Sequence, residues 1–178
     1  TLKLSASITG FIVLISPVVL GVFSPICGTL SDKIGREKMC LIGMLIMSVA
    51  FLLLSTLEVN SMAVSAIGFM GTMSLGQAFF QPANNALVMS NCDRDKLGIA
   101  GSINSLTRNL GQIAGITLAT SILYAFMSIK AGYRVSEYIF GNDNIFVYGM
   151  NKVYIILALL CFVGFFINLI RILKQCRE

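Results

Sequence analysis

Five stretches of this chain contain no charged residue and are long enough to cross a lipid bilayer. At about 1.5 Å per residue, about 18 residues of helix already approach the roughly 30 Å of a hydrocarbon core. The stretches are residues 4–31, 39–57, 59–92, 109–129 and 153–170. A soluble protein would need a polar face on most of its helices, and these stretches have none. The sequence therefore predicts an integral membrane protein.

Composition and pattern identify the spans as helices. Of the 178 residues, 56% are hydrophobic and 12% are charged, against roughly 25% charged residues in an average soluble domain. A membrane-spanning β-strand alternates apolar and polar residues, and runs such as residues 41–47 show no alternation. The predicted fold class is all-α, with about five transmembrane helices.

We predict a single transmembrane helical domain over residues 1–178. The fourth span would be about 50 Å long if wholly helical, so its first turns are expected along or below the cytoplasmic surface. The segment at about 130–151 carries Gly132, Gly141 and several Asn and Asp residues, which predicts an external loop. The predicted spans are residues 7–30, 39–57, 61–89, 97–129 and 153–173.

The basic residues are distributed unevenly between the predicted loops. The net charge is +5, and if the loop 31–38 is cytoplasmic, segments 91–96 and 171–178 lie on the same side. That side then holds eight Lys and Arg residues against four on the other. The positive-inside rule predicts a multi-pass protein of the cell membrane with its N-terminus outside and its C-terminus in the cytoplasm. No nucleic acid partner is needed to explain the charge.

The sequence offers little for enzyme chemistry. It contains no histidine, its five cysteines have no CxxC spacing, and no Walker loop occurs. No carboxylate pair lies within a predicted span. We therefore expect no enzymatic activity, no catalytic residue, no metal site and no cofactor, and we interpret the cysteines as reduced residues with a packing role.

The segment between the first two spans reads GTLSDKIGREK over residues 28–38. Gly35 suits the positive φ of a sharp turn, and Asp32 can pair with Arg36 or face the positive N-terminus of a neighbouring helix. The segment resembles the signature loop of the major facilitator superfamily, G-x-L-[SA]-D-[RK]-x-G-R-[RK], and departs from it at Glu37, where a basic residue is usual. By this resemblance, a conformational gate is predicted at Gly28, Asp32, Lys33, Gly35 and Arg36. Gly28 is also expected to permit close approach of helices.

Small residues and a proline mark predicted helix contacts in spans three and four. On span four, Gly111 and Gly115 form a GxxxG pattern, which in lipid permits backbones to approach closely. On span three, Gly76 ends a series of small residues with the same spacing of four. Pro82 removes a backbone donor and is expected to kink span three. Helix packing or kinking is therefore predicted for Pro82, Gly111 and Gly115.

Polar side chains recur on the same two spans at helical spacing. In hydrocarbon such groups face the interior of a bundle or water. Hydrogen bonds between helices are one interpretation, and the wall of a substrate cavity is the other. The candidate cavity-lining residues are Gln77, Gln81, Asn84, Asn104, Arg108 and Gln112.

Arg108 is the charge that lies well inside a predicted span, away from its ends. If the helix enters hydrocarbon near Gly98, Arg108 lies about 15 Å deep, close to the midplane. There it would need Gln77 or Gln81, a carbonyl freed by Pro82, or a carboxylate from outside this chain. If the helix enters two turns later, Arg108 lies near the cytoplasmic interface and can snorkel.

The glycines of spans three and four, together with the segment 108–115, resemble the late spans of the fourteen-span drug:proton antiporter branch of the superfamily. This resemblance implies two six-helix bundles that alternate access to a central cavity. The chain would be an incomplete six-helix bundle, the C-terminal one without its first helix. Its implied partners are the lipid bilayer, a missing N-terminal bundle and a small-molecule substrate.

The resemblance thus implies the C-terminal fragment of a secondary active transporter that performs multidrug efflux by alternating access. A proton gradient is the expected energy source, with the proton-carrying carboxylate in the missing half, because no Asp or Glu lies within a predicted span. Two alternatives stay open. One is a membrane-embedded assembly or scaffolding subunit without transport, and the other is a nutrient or solute importer of the same superfamily.

Overall fold

The computed structural model describes residues 6–58, 63–137 and 141–175, and its regular structure in these ranges is entirely helical. A short 3-10 turn, Arg94–Lys96, precedes the fourth of five long helices. The helices are α1 (Ala6–Ile34), α2 (Arg36–Leu54), α3 (Ala63–Ser90), α4 (Leu97–Ala131) and α5 (Asp143–Gln175). The prediction of an all-α fold is confirmed.

Four of these helices, α1, α2, α4 and α5, are long and apolar enough over the described residues to cross a membrane. The remaining helix, α3, has 28 residues, a length of about 42 Å. Its C-terminal half carries four amide side chains, which lower its hydropathy, but it packs against both α1 and α2. It is therefore an integral member of the same bundle.

The helices pack in the spatial order α1, α3, α2, α5, α4. α3 lies against α1 on one side and α2 on the other, while α5 joins α2 to α4. The buried core between the first three helices consists of Cys27, Met39, Cys40, Ala78 and Ala83. Cys27 and Cys40 are free thiols in this core, in agreement with the packing role predicted for the cysteines.

Two glycines make a close contact between α2 and α3. A Cβ atom on Gly43 would lie 2.7 Å from the backbone nitrogen of Phe80 and 2.9 Å from the carbonyl oxygen of Gly76. A Cβ atom on Gly76 would lie 2.6 Å from Cγ of Met47. The two backbones therefore meet without side chains between them, as small residues allow in membrane bundles.

Hydrogen bonds through small polar side chains join the other helix pairs. The Ser74 hydroxyl lies 2.9 Å from that of Ser16 on α1, and the Ser48 hydroxyl donates to the carbonyl oxygen of Ala158 on α5 at 3.2 Å. About two turns earlier on α5, the Asn151 amide donates to the Leu57 carbonyl oxygen, just beyond the end of α2, at 3.1 Å. Satisfied polar groups of this kind fix helix register where lipid supplies no partners.

The loop predicted at 130–151 is shorter in the structure, because α4 continues to Ala131 and α5 already begins at Asp143. The acidic side chain in the first turn of α5 is favourable at the positive end of a helix. The early turns also pack on α4, where a Cβ atom on Gly149 would lie 2.9 Å from Cγ of Met127. Tertiary packing thus extends the helix through a segment whose Gly, Asn and Asp content predicted a loop.

Three glycines predicted to mediate close approach do not do so among the described residues. A Cβ atom on Gly28, Gly111 or Gly115 would meet no atom within 4 Å. Most side chains over residues 105–118 of α4 are exposed, because α4 packs mainly against α5 through its later turns. The GxxxG pattern of α4 therefore lies on a face that no described helix covers, and the packing role of these glycines stays a prediction.

Candidate functional site: the charged end and its polar groove

The turn between α1 and α2 takes the form that its sequence predicts. Gly35 has φ 107° and ψ 131° and separates two helices by a single residue, a conformation that side chains disfavour. Nη2 of Arg36 lies 3.3 Å from Oδ1 of Asp32, one helical turn earlier. Their side chains are 36% and 65% exposed, so this pair alone contributes about 0–1 kcal/mol.

Arg36 also reaches a second helix. Its Nη1 donates a hydrogen bond of 3.2 Å to the carbonyl oxygen of Ala86 on α3, in partly buried surroundings. A charge-assisted bond of this type is worth about 1.5–3 kcal/mol. The Arg36 side chain therefore connects the α1–α2 turn to the C-terminal part of α3.

Glu37, the departure from the signature pattern, faces α5. Its Oε1 lies 3.9 Å from Nη2 of Arg171. This contact places the start of α2 beside the last turns of α5. The α1–α2 turn, the end of α3 and the end of α5 therefore lie at one end of the bundle, which we call the charged end.

A polar groove of about 570 Å³ opens between the last turns of α3 and the first turns of α4. Across it, Nδ2 of Asn104 donates to Oδ1 of Asn85 at 3.0 Å. α3 and α4 otherwise touch little, so this amide pair is the main polar link between them. The groove is lined by Asn85, Met89, Gly98, Gly101, Ser102, Asn104, Ser105 and Arg108.

The amide pair also fixes the depth of Arg108. Asn85 precedes Ala86, which accepts the bond from Arg36, so Asn104 is level with the charged end. Arg108 lies one turn further along α4, about 6 Å. From Arg108 to Lys130 the helix runs for another 22 residues, about 33 Å, which matches a full hydrocarbon core. This geometry favours the interfacial position over the midplane.

At the other end of the bundle, Tyr148 lies between the basic residues of two helices. The ammonium groups of Lys130 and Lys152 lie 5.3 and 5.5 Å from its ring centroid. An aromatic ring with lysine side chains is typical of a membrane interface. The uncharged part of α4 therefore ends at a second interfacial belt.

The structure brings only part of the predicted cavity set together. Asn104 and Arg108 share the groove, whereas Gln77, Gln81 and Asn84 are partly buried on α3 and are not among its lining residues. Gln112 is exposed on α4, outside the groove. Neither Gln77 nor Gln81 is therefore placed as the partner of Arg108.

Residues beside the predicted polar stripes complete the groove. Asn85, Ser102 and Ser105 line it, and none of them was in the candidate set. The available signal was the small-residue run beginning at Gly98, since small side chains leave room beside a neighbouring helix. Pro82 lies inside α3, which continues through it as one helix to Ser90.

The arrangement joins a charged turn to an open polar groove, and the described part of the chain contains no group of metal-ligating side chains. A charged turn is tied to α3, and α3 is tied to α4 across the groove. A change at the turn can therefore reach the groove through two hydrogen bonds. Such coupling suits a binding protein that changes conformation.

Comparison with known proteins is consistent with this arrangement. The family model of the Major Facilitator Superfamily matches residues 1–174. The riboflavin transporter RibZ of Clostridioides difficile (strain 630) is 24% identical over 162 residues, 91% of this chain and 34% of that protein. The multidrug transporter protein MdtP of Bacillus subtilis (strain 168) is 30% identical over 133 residues, 75% of this chain and 24% of that protein.

A third relative is the multidrug resistance protein Stp of Mycobacterium tuberculosis (strain ATCC 25618 / H37Rv). It is 27% identical over 122 residues, which cover 68% of this chain and 22% of that protein. The chain thus spans between about a fifth and a third of the length of these curated relatives. No solved structure matches it.

Proposed function

The chain belongs to the major facilitator superfamily, and from that premise we propose that it forms the C-terminal part of a secondary active transporter for small organic molecules. The observation that carries the proposal is the family match over residues 1–174. The short share of each relative that the chain covers supports a longer transporter. In that transporter, an N-terminal bundle of the same protein would be the partner of this one.

The proposed activity is multidrug efflux driven by a proton gradient. Two of the relatives are named as multidrug proteins, and this supports the substrate class. Asn104, Arg108 and the α3 amides Gln77, Gln81 and Asn84 would contribute polar groups to the path. The carboxylate that carries the proton would lie outside this chain, because no Asp or Glu lies within a predicted span.

A second candidate is transport of a polar heterocycle such as riboflavin. It is favoured by the relative RibZ, whose match covers 91% of this chain. The two candidates differ in substrate and share one mechanism. In both, the charged end would face the cytoplasm, as its excess of Lys and Arg favours.

The proposed gate is the α1–α2 turn with Gly28, Asp32, Lys33, Gly35 and Arg36. Its bond to Ala86 joins it to α3 within this bundle. We propose that the turn sets the equilibrium between conformations and does not bind substrate. Substitutions at Asp32 or Arg36 would then change the relative populations of the two transporter conformations.

The test uses the intact gene product in proteoliposomes, with and without an imposed proton gradient. Ethidium and riboflavin are the two probes, and an uncoupler is the control for the gradient. Gradient-dependent movement of ethidium supports multidrug transport, and movement of riboflavin alone supports the second candidate. Movement of neither, with protein verified as inserted, favours a subunit without transport.

The 178-residue chain by itself serves as the matched control in the same vesicles. Alternating access needs two bundles, and this chain supplies five helices of one. It should therefore move neither probe. Sustained gradient-driven movement by the chain alone would contradict its role as part of a larger transporter.

A further inference from the structure

The first turn of α2 carries two consecutive charged residues that reach different helices. Arg36 donates a hydrogen bond to the carbonyl oxygen of Ala86 on α3 at 3.2 Å. Oε1 of Glu37 lies 3.9 Å from Nη2 of Arg171, in the last turns of α5. The start of α2 is therefore connected to α3 on one side and to α5 on the other.

Glu37 is the least exposed of the side chains that form ion pairs within the described ranges. It is 29% exposed, against 36% for Arg36 and 65% for Asp32. Water and salt screen a partly buried charge less than an exposed one. The position of a counter-ion should therefore matter more for Glu37 than for the other acidic side chains of these pairs.

The N-terminus of α2 also depends on Glu37. Gly35 occupies the N-cap position and makes no side-chain hydrogen bond to the free N–H groups of the first turn. Glu37 is the acidic residue of that turn, and a carboxylate there is favourable at the positive end of the helix dipole. Arg171 therefore contacts the side chain that stabilises the start of the helix.

The next residues of α2 are fixed by packing. Met39 and Cys40 are buried in the core between the first three helices. Before them, the single residue Gly35 separates α1 from α2, and these two helices make few contacts with each other. The part of α2 that can shift without disturbing the core is thus its first turn, which carries Arg36 and Glu37.

We propose that Arg171 is a positioning residue of the gate and acts through Glu37. Its guanidinium holds the Glu37 carboxylate beside α5, which keeps the first turn of α2 in place and Arg36 within reach of Ala86. Arg171 does not line the groove, so its effect on transport comes through the conformation of the turn. The effect on transport rests on the proposed function, whereas the effect on the turn can be measured without transport.

Hydrogen–deuterium exchange of the intact gene product in detergent tests the effect on the turn. Two backbone hydrogen bonds report on it. The Gly35 N–H donates to the Ser31 carbonyl oxygen at 3.1 Å, and the Met39 N–H donates to the Gly35 carbonyl oxygen at 3.2 Å. Arg171→Gln and Glu37→Gln should each speed exchange in this segment by about twofold to fivefold, as expected for loss of a partly exposed ion pair.

Three further variants separate the pair from general charge. Lys174→Gln removes an exposed cation from the same end of α5 and should leave the exchange unchanged. Arg171→Lys keeps a cation and should exchange almost as slowly as the unmodified protein. Arg171→Gln combined with Glu37→Gln should exchange no faster than the faster single variant, since both remove one contact. Unchanged exchange in both single variants, or additive increases in the double variant, overturns the proposal.

Proteoliposomes test the effect on the gate. Arg171→Gln should lower the maximal rate of gradient-driven probe movement by about twofold to fivefold, with little change in the half-saturating probe concentration. Arg171→Lys should restore most of the rate. A normal rate in Arg171→Gln overturns the role of Arg171 in the gate. If the unmodified protein moves no probe, the proposed function is contradicted, and the exchange rates still decide whether Arg171 positions the turn.

Discussion

Nη1 of Arg36 donates to the carbonyl oxygen of Ala86 at 3.2 Å, across 50 residues of chain. The same guanidinium pairs with Asp32 at 3.3 Å. One side chain therefore holds the α1–α2 turn and the end of α3 together. Since Asn85 adjoins Ala86 and binds Asn104, the turn is mechanically connected to the groove.

Arg36→Gln in the intact gene product should slow transport by about tenfold to a hundredfold without reducing membrane insertion. A charge-assisted hydrogen bond is worth about 1.5–3 kcal/mol, and about 1.4 kcal/mol corresponds to a factor of ten. The measurement is gradient-driven probe movement per inserted protein. Arg134→Gln, which removes an exposed arginine elsewhere, is the matched control. Normal turnover at normal expression would remove Arg36 from the gate.

Asp32→Asn should slow transport less than Arg36→Gln. The substitution weakens an exposed pair worth about 0–1 kcal/mol but leaves the bond from Arg36 to Ala86 in place. Turnover should fall by about twofold to fivefold. The two variants are compared in the same vesicles, and a larger loss for Asp32→Asn would show that the carboxylate acts on something other than Arg36.

The local part of this end was predictable from sequence, and the distant part was not. The positive φ of Gly35 follows from a glycine at a turn, and Arg36 was one of the two partners that the sequence left open for Asp32. The acceptor on Ala86 is a backbone oxygen, which leaves no signal in the sequence. Likewise, nothing near Glu37 indicates that Arg171 on α5 lies 3.9 Å away.

For the helix contacts, too, the sequence pattern was readable but the contacts were not. Gly111 and Gly115 match the packing pattern, yet their face of α4 is uncovered among the described residues. Gly43 has no such pattern, yet a Cβ atom there would lie 2.7 Å from the backbone nitrogen of Phe80 on α3. Spacing shows which residues share a helix face, but the tertiary fold decides which face meets another helix.

Reversal of the Glu37–Arg171 pair tests whether it joins α2 to α5. Glu37→Arg should lower thermal stability in detergent, because it places two cations within about 4 Å of each other. The effect should be about 1 kcal/mol or less, as both side chains are partly exposed. Glu37→Arg combined with Arg171→Glu should recover most of the loss. A double variant no better than the single one would show that the pair contributes nothing.

Ser31→Ala should be neutral or stabilising. Ser31 is 1% exposed, and its hydroxyl oxygen has no hydrogen-bond partner among the described residues. A buried polar group without a partner costs about 1–3 kcal/mol, and alanine removes this cost while leaving only a small void. Thermal unfolding of the purified protein measures the change. A loss of about 1 kcal/mol or more would show that the hydroxyl is bonded in the membrane.

Gly43→Ala and Gly76→Ala should each destabilise the bundle, whereas Gly111→Ala and Gly115→Ala should not. A Cβ atom on Gly43 would lie 2.7 Å from the backbone of Phe80, and backbone cannot move aside as a flexible side chain can. Overpacking of this kind costs about 1–3 kcal/mol. The same substitution on α4 meets no described atom within 4 Å, so all four variants share one chemical change in different surroundings. Thermal unfolding in detergent ranks them, and equal losses at Gly43 and Gly111 would contradict the packing of α2 on α3.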